Sequence, residues 1–294
     1  MGYKMKIGWI GLGHMGVPMA HRLKNAGFDI KVWNRTISKA KKLNLPYYEN
    51  IEDLIKESNV IITMLFGSKS VEEVYEKIIN SNVEIKGKIF IDMTTIHPNT
   101  AKKTAEIIIK NGGDYLEAPV LGSVIPAKEG KLTILISGDK DSFEKCLQIF
   151  KILGSAIYFM GDYGRASTMK LINNTVLGSF MAVLSEAFAF GKKVGIEPET
   201  VLEILSNGAG KSAILEAKKH KLLKEEYSTH FSVALIHKDI CYALDIAKDN
   251  HFPAFITSQT LNLLNSARAN GFDEKDFSSI VEVYKKLGNI KEES

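Results

Sequence analysis

From Gly161 to Val194 the chain holds a stretch of about 27 residues with no proline or strong helix breaker, enough for one helix of about 40 Å. Between Lys170 and Lys192 the only charged side chain is Glu186. Leu171, Ile172, Val176, Leu177, Phe180, Met181, Leu184, Phe188 and Phe190 are spread round every face. A helix apolar on all sides belongs in a core or in a membrane. Asn173, Asn174 and Glu186 are costly in a bilayer, so the stretch reads as a buried spine that the rest of the chain must cover. Near its start stands Lys170, with Asn174 one turn later on the same face. A lysine at a helix end often snorkels to water. What precedes the helix bears on whether this one has another task.

The 294 residues suffice for two domains, and 45% hydrophobic with 24% charged residues is ordinary for a globular chain. A net charge of +4 with scattered lysines gives no nucleic-acid footprint, although it suits small anions. Cys146 and Cys241 stand alone, outside any CxxC or Cys/His spacing, and are expected as reduced, buried residues. The seven histidines show no paired ligand spacing, so no metal site is expected. Lys4, Lys6 and the apolar run after them could imitate a signal peptide, but glycines at 8, 11, 13 and 16 interrupt it. The expected location is the cytoplasm, with no membrane partner.

The glycines have a better use. Lys6-Ile7-Gly8-Trp9-Ile10 reads as a strand, Gly11-Leu12-Gly13-His14-Met15-Gly16 follows at once, and a helix runs to about Ala26 with Gly27 closing it. A second strand, Ile30 to Trp33, ends in Asn34-Arg35-Thr36. This is the GxGxxG turn of a dinucleotide-binding β-turn-α-β unit. Its glycines permit the tight turn, the approach of a pyrophosphate and close helix packing, and the helix N-terminus offers free N–H groups. His14 lies where the loop would touch the cofactor. At the end of the second strand an NAD site usually carries Asp or Glu. Asn34 and Arg35 occupy that place, and a guanidinium there suits a 2′-phosphate, with Thr36 and Lys39 beside it. NADP(H) is therefore expected over NAD(H).

Strands are expected at Val60–Met64, Ile89–Asp92, Tyr115–Ala118, Leu132–Ser137 and Ile157–Met160, with helices between most of them. That alternation predicts a Rossmann-type, doubly wound, mostly parallel α/β sheet, with ligands outside the carboxyl ends of the strands. Three loops lie there: Leu65-Phe66-Gly67-Ser68 after Met64, Thr94-Thr95-Ile96-His97-Pro98, and Pro119-Val120-Leu121-Gly122-Ser123. Beyond Tyr163 the strand signals stop. Helices are expected at Pro198–Ser206, Ala213–Lys224, Ala234–Lys248, Ser258–Asn270 and Phe277–Leu287, then a frayed tail at Lys291-Glu292-Glu293-Ser294. The expected domains are 1–163, binding the dinucleotide, and an all-helical 164–294 joined through the long helix. So much apolar helix surface suggests a homodimer or homotetramer. Gly208-Ala209-Gly210-Lys211-Ser212 imitates a phosphate loop, but Leu205 stands where its first glycine belongs and no strand precedes it.

Taken in order, these motifs resemble the β-hydroxyacid dehydrogenases, the group that includes 3-hydroxyisobutyrate dehydrogenase and the glyoxylate/succinic semialdehyde reductases. The resemblance spans nearly the whole chain. It is carried by Ile7 to Ala20, Asn34-Arg35-Thr36, Asp92-Met93-Thr94-Thr95, Glu117-Ala118-Pro119-Val120-Leu121-Gly122-Ser123, Gly164 with Lys170-Leu171-Ile172-Asn173-Asn174, and Lys238-Asp239. Glu-Ala-Pro-Val with its Gly-Ser pair is more similar to the glyoxylate/succinic semialdehyde branch. The resemblance makes Lys170 the catalytic residue and Asn174 a substrate-positioning one. It gives Gly122 and Ser123 the substrate carboxylate, sets Thr95 near the nicotinamide, and has Phe231, Lys238 and Asp239 close the site, Lys238 on the cofactor. The expected cofactor contacts are thus Gly11, Leu12, Gly13, His14, Met15, Gly16, Asn34, Arg35, Thr36, Met64, Leu65, Thr95 and Lys238. Leu121 departs from the pattern: it stands where the family has serine and would line the substrate pocket without a hydroxyl.

The expected reaction is NADPH-dependent reduction of a small aldehyde- or keto-acid, with Lys170 giving a proton to the forming alkoxide. Burial against the apolar spine should lower the lysine from its usual pKa of ~10.4. The alternatives are an imine reductase-like enzyme, a class that generally replaces the lysine, and a non-catalytic NADP-binding module, which Leu121 makes conceivable.

Overall fold

The computed structural model describes residues 5–290. Met1 to Lys4 and the expected frayed tail at Lys291 to Ser294 lie outside the described residues. The first part alternates as the sequence predicts: β1 (Lys6–Ile10), α1 (Gly16–Asn25), β2 (Asp29–Trp33), α2 (Ile37–Lys41), α3 (Ile51–Glu57), β3 (Val60–Thr63), α4 (Ser68–Asn80), β4 (Ile89–Asp92), α5 (Pro98–Lys110) and β5 (Asp114–Glu117). Then come β6 (Val120–Leu121), α6 (Val124–Glu129), β7 (Leu132–Gly138), α7 (Lys140–Leu153) and β8 (Gly154–Gly161). The sheet runs β2-β1-β3-β4-β5-β7, with β6 and β8 also paired to β7. Strands β1 to β5 are parallel; β7 is antiparallel to β5 and β6, and β8 is parallel to β7.

Strands β1 to β5 and β7 are largely buried on both faces, which is why they read as near-continuous apolar runs, whereas β8 exposes Tyr158 and Phe159. Period-two alternation sends Ile7 and Trp9 into one core with Ile62, Ile91 and Ile134, and Ile10 into another with Ile61, Phe90 and Tyr115. Strand β6 was not expected. It is two residues long, set off from β5 by Ala118 and Pro119, and Pro119 still supplies a carbonyl to Leu135 N at 3.1 Å. Too short for a periodicity, it left no pattern to read.

The helices of the second part are α8 (Arg165–Lys193), α9 (Pro198–Asn207), α10 (Ala213–Lys224), α11 (Val233–Asp249), α12 (Phe255–Ala269), a 3₁₀ turn at Phe277–Ile280 and α13 (Val281–Leu287). α12 begins earlier than expected, just after Pro253. Its first residues, Phe255 and Ile256, are exposed and give no inward-facing signal. The phosphate-loop imitation is a helix connection whose Ser212 hydroxyl caps α10 through Leu215 N. The chain divides into two compact units between Lys170 and Leu171, inside α8. The sequence boundary at 163/164 falls at the start of that helix.

One expectation about α8 is corrected. Leu171, Asn174, Met181, Leu184 and Phe188 are buried, but Ile172, Val176, Phe180, Val183 and Phe190 are 49–67% exposed. They recur every three or four residues, apart from the last, and so form one stripe. The helix is therefore not a spine buried all round. It has a face in the helical core with Leu202, Leu215, Ile236 and Leu264, and an apolar face that this chain leaves open. By length and composition it is the one helix among the described residues that could cross a membrane.

Candidate active site

The GxGxxG turn has the form its spacing predicts. Gly11 sits at φ +104°, and a Cβ there would lie 2.2 Å from the Met64 carbonyl oxygen. Met64 N in turn donates to Ile10 O at 2.9 Å, so Met64 and Leu65 back the turn directly. Trp9 Nε1 donates to Gly11 O at 2.9 Å, and a Cβ on Gly16 would fall 2.1 Å from that same oxygen. A side chain at Gly16 would push helix and turn apart, and one at Gly11 would push the turn off Met64. Gly13 is different: a Cβ there would meet nothing within 4 Å. Space is kept open at the middle glycine, above a helix with no side-chain N-cap and no acidic residue in its first turn. Gly13 and His14 are exposed and Met15 is half-buried. An open cradle over free N–H groups and a positive helix end fits a dinucleotide pyrophosphate.

At the end of β2, Asn34 is engaged within the protein. Its Oδ1 accepts from Leu12 N at 3.0 Å and its Nδ2 donates to Thr36 O at 3.0 Å, tying the glycine turn to the ribose end of the cradle. Arg35 is solvent-facing, 3.4 Å from Glu73 on α4. Thr36 precedes α2 but its hydroxyl does not cap it.

Two buried carboxylates that the sequence reading gave no role organise the strand ends. Asp92 closes β4 with no exposure. Thr63 Oγ1 donates to it at 2.8 Å, Thr94 N at 3.0 Å and the Tyr115 hydroxyl at 3.4 Å. Burial pushes the Asp92 carboxyl up to about 6 against these donors. Thr94 then accepts from Leu65 N at 2.9 Å, and Ser68 Oγ accepts from His97 N at 3.0 Å. The first two strand-end loops, with Thr95 among them, are thereby held to each other. Glu117 closes β5 and is bound to the start of α8. The signal for both was an apolar strand ending in an acid, Ile89-Phe90-Ile91-Asp92 and Tyr115-Leu116-Glu117.

The third loop leaves β6 through Leu121, which pairs with Thr133. Gly122 has φ +124°, and a Cβ there would press on Leu132 and Pro126 at 2.9 and 3.2 Å. Ser123 precedes α6 and its hydroxyl does not cap it. Lys170 is 8% exposed, in the second turn of α8.

Within the second unit Asn174 and Asp239 are both fully buried. Asn174 Nδ2 donates to Asp239 Oδ2 at 2.6 Å and Lys238 Nζ to Asp239 Oδ1 at 2.7 Å, so one carboxylate holds two of the expected site residues. Lys238 also lies 5.0 Å over the Tyr242 ring. Phe231 stands edge-on to Phe277 at 5.7 Å, and its N–H reaches Asp276 at 3.3 Å. Asp276 itself pairs with Lys218 at 2.8 Å. No cluster of three or more potential metal ligands occurs among the described residues.

Comparison with known proteins identifies the family. Residues 6–161 match the NAD-binding domain family of 6-phosphogluconate dehydrogenase, and residues 164–284 match the NAD-binding family of NADP-dependent 3-hydroxyisobutyrate dehydrogenase. The chain is 33% identical over 285 residues to glyoxylate/succinic semialdehyde reductase 1 of Arabidopsis thaliana, covering 96% of this chain and 99% of that protein. It is 33% identical over 290 residues to 2-hydroxy-3-oxopropionate reductase of Escherichia coli (strain K12), covering 98% and 99%. The crystal structure of a 3-hydroxyisobutyrate dehydrogenase from Salmonella typhimurium shares the fold at a TM-score of 0.85 and 22% identity, over 95% of this chain and 99% of that one. A nicotinamide-dinucleotide cradle, a buried lysine at the head of a long helix and relatives matched end to end converge on one assignment: the chain belongs to the β-hydroxyacid dehydrogenase family of NAD(P)-binding oxidoreductases.

Proposed function

We propose that this protein is an NADPH-dependent reductase of small aldehyde- or keto-acids, equivalently a 3- or 4-hydroxyacid dehydrogenase. The observation that carries the reading is Lys170, a buried lysine on a helix whose only other charge before Lys192 on its C-terminal side is Glu186. NADPH, when bound, supplies the hydride. Lys170 donates a proton to the substrate oxygen, and in the oxidative direction the neutral amine takes it back. Asn174, oriented by Asp239, positions the substrate. The backbone at Gly122 and the uncommitted Ser123 hydroxyl hold the substrate carboxylate, and Leu121 adds an apolar wall where the family has a hydroxyl. Arg35 favours the 2′-phosphate of NADP, as does the description of the family matched by residues 164–284. The presence of Lys170 weighs against an imine reductase-like activity. The open stripe of α8 is covered by a second copy of the chain, giving a homodimer or a tetramer built from it.

The test is cofactor oxidation, NADPH beside NADH, with glyoxylate, succinic semialdehyde, methylmalonate semialdehyde and their carboxylate-free aldehyde analogues. Turnover that prefers NADPH and needs the carboxylate is the expected result. Equal turnover of the uncharged aldehydes would remove the anion pocket from the reading. Binding of NADPH without turnover of any substrate would leave a cofactor-binding module.

A further inference from the structure

Glu117, the last residue of β5, has no exposed surface, and both its carboxylate oxygens are directed at the start of the helix that carries Lys170. Oε1 accepts from Gly164 N at 2.5 Å and from Ala166 N at 3.3 Å, while Oε2 accepts from Ser167 Oγ at 2.5 Å. These partners all donate, which is the pattern around an ionised carboxylate. Burial pushes the Glu117 carboxyl up, opposed by the same donors. The positive end of the α8 dipole adds to their side.

The arrangement differs from an ordinary cap. A capping residue next in sequence to its helix moves with it, whereas Glu117 lies 47–50 residues from its partners and belongs to the sheet. Ser137, on the neighbouring strand β7, accepts from Ala166 N at 3.1 Å. Gly164 enters the helix at φ +92°, and a Cβ there would fall 2.7 Å from Lys102 Cε and 3.4 Å from Pro98 Cβ on α5. The first turn of α8 is thus pinned to two strands and seated closely against a neighbouring helix. Lys170 follows Ala166 by four residues and Ser167 by three, so it leaves α8 on the face that Glu117 holds. Its side chain, like those of helical residues generally, leans back toward the helix start.

We propose that Glu117 is a positioning residue for the reaction: it fixes the height and rotation of the first turn of α8 on the sheet, and through them the reach of the Lys170 ammonium. The proposal rests on the reading of Lys170 as proton donor. A misplacement of about 1 Å in a reacting group can cost on the order of 100-fold in rate.

Glu117→Gln keeps the size of the side chain and one acceptor, but removes the charge facing the helix N-terminus and replaces one of the two accepting oxygens by an N–H donor, so that Gly164, Ala166 and Ser167 can no longer all donate to it. It should lower kcat on the preferred aldehyde-acid by about 10- to 100-fold, with the NADPH Kd from fluorescence titration essentially unchanged. The same substitution is then made in Lys170→Ala and assayed with and without ethylamine as an external proton donor. An amine from solution does not depend on where α8 places its side chains. Glu117→Gln should therefore cost little in that background, either in the amine-supported rate or in the residual one. Equal losses in both backgrounds would mean general damage and overturn the proposal, as would an unchanged kcat for Glu117→Gln alone. Lys170→Ala at the wild-type rate would overturn the underlying reading, and that variant alone identifies this case. Ser167→Ala, which removes one donor and no charge, runs through the same two backgrounds and decides the matter if Glu117→Gln does not fold. A loss of about 3- to 10-fold with Lys170 present, and none without it, is expected.

Discussion

Asp92 is a fully buried carboxylate whose pKa is raised by burial to about 6, above its ordinary value of 3.8. Between about pH 4 and 6 the folded state holds the proton more tightly than the unfolded chain. Stability from this group is therefore greatest at low pH and falls as pH rises through that window. Above it the cost is about 3 kcal/mol. Asp92→Asn keeps an acceptor for Thr63 and Thr94 and cannot ionise. Thermal melts should place its midpoint several degrees above wild type at pH 7.5, with the gap closing near pH 4. Arg35 supports a second prediction at this scale. Under the proposed function Arg35→Ala should raise the KM for NADPH at least about tenfold and leave NADH nearly unaffected, because NADH carries no 2′-phosphate for a guanidinium to hold. Glu73, 3.4 Å from Arg35, was not legible: it lies 38 residues away and no spacing rule links them. The engagement of Asn34 by Leu12 N was hidden for the same reason, although the position of Asn34 was plain.

At the scale of elements, the glycine turn separates binding from folding. A methyl group on Gly13 meets no protein atom, so Gly13→Ala should melt like wild type without ligand. In the cradle the same methyl occupies the pyrophosphate's space, so the rise in melting temperature on adding NADPH should be lost. A Gly13→Ala protein that NADPH still stabilises fully would put the cofactor elsewhere. The turn and its strands were legible because local rules dictate them: a strand buried on both faces, three glycines at fixed offsets and a helix. What was not legible depends on contacts distant in sequence. Strand β6 exists because β7 is there to pair with it. Likewise, apolar residues on every side of α8 read as a helix buried all round, and composition could not tell that this chain leaves one face exposed.

At the scale of the molecule that open face becomes a prediction. Ile172, Val176, Phe180 and Val183 form a stripe that a second chain can cover. In the homodimer or tetramer proposed above, Phe180→Asp should release single chains in analytical ultracentrifugation, and an unchanged sedimentation coefficient would place the interface elsewhere. The order of the two parts of the chain and the nicotinamide-cofactor class were readable beforehand. The sheet-borne Glu117 that holds the lysine's helix was visible only as a letter in a motif. Whether Lys170 carries the proton in carbonyl reduction is decided by kcat for NADPH-dependent reduction of succinic semialdehyde by Lys170→Ala, with NADPH binding titrated on the same preparation. A fall of at least about 100-fold in kcat with cofactor affinity retained is the predicted result. A kcat within about threefold of wild type, with cofactor bound, would contradict it.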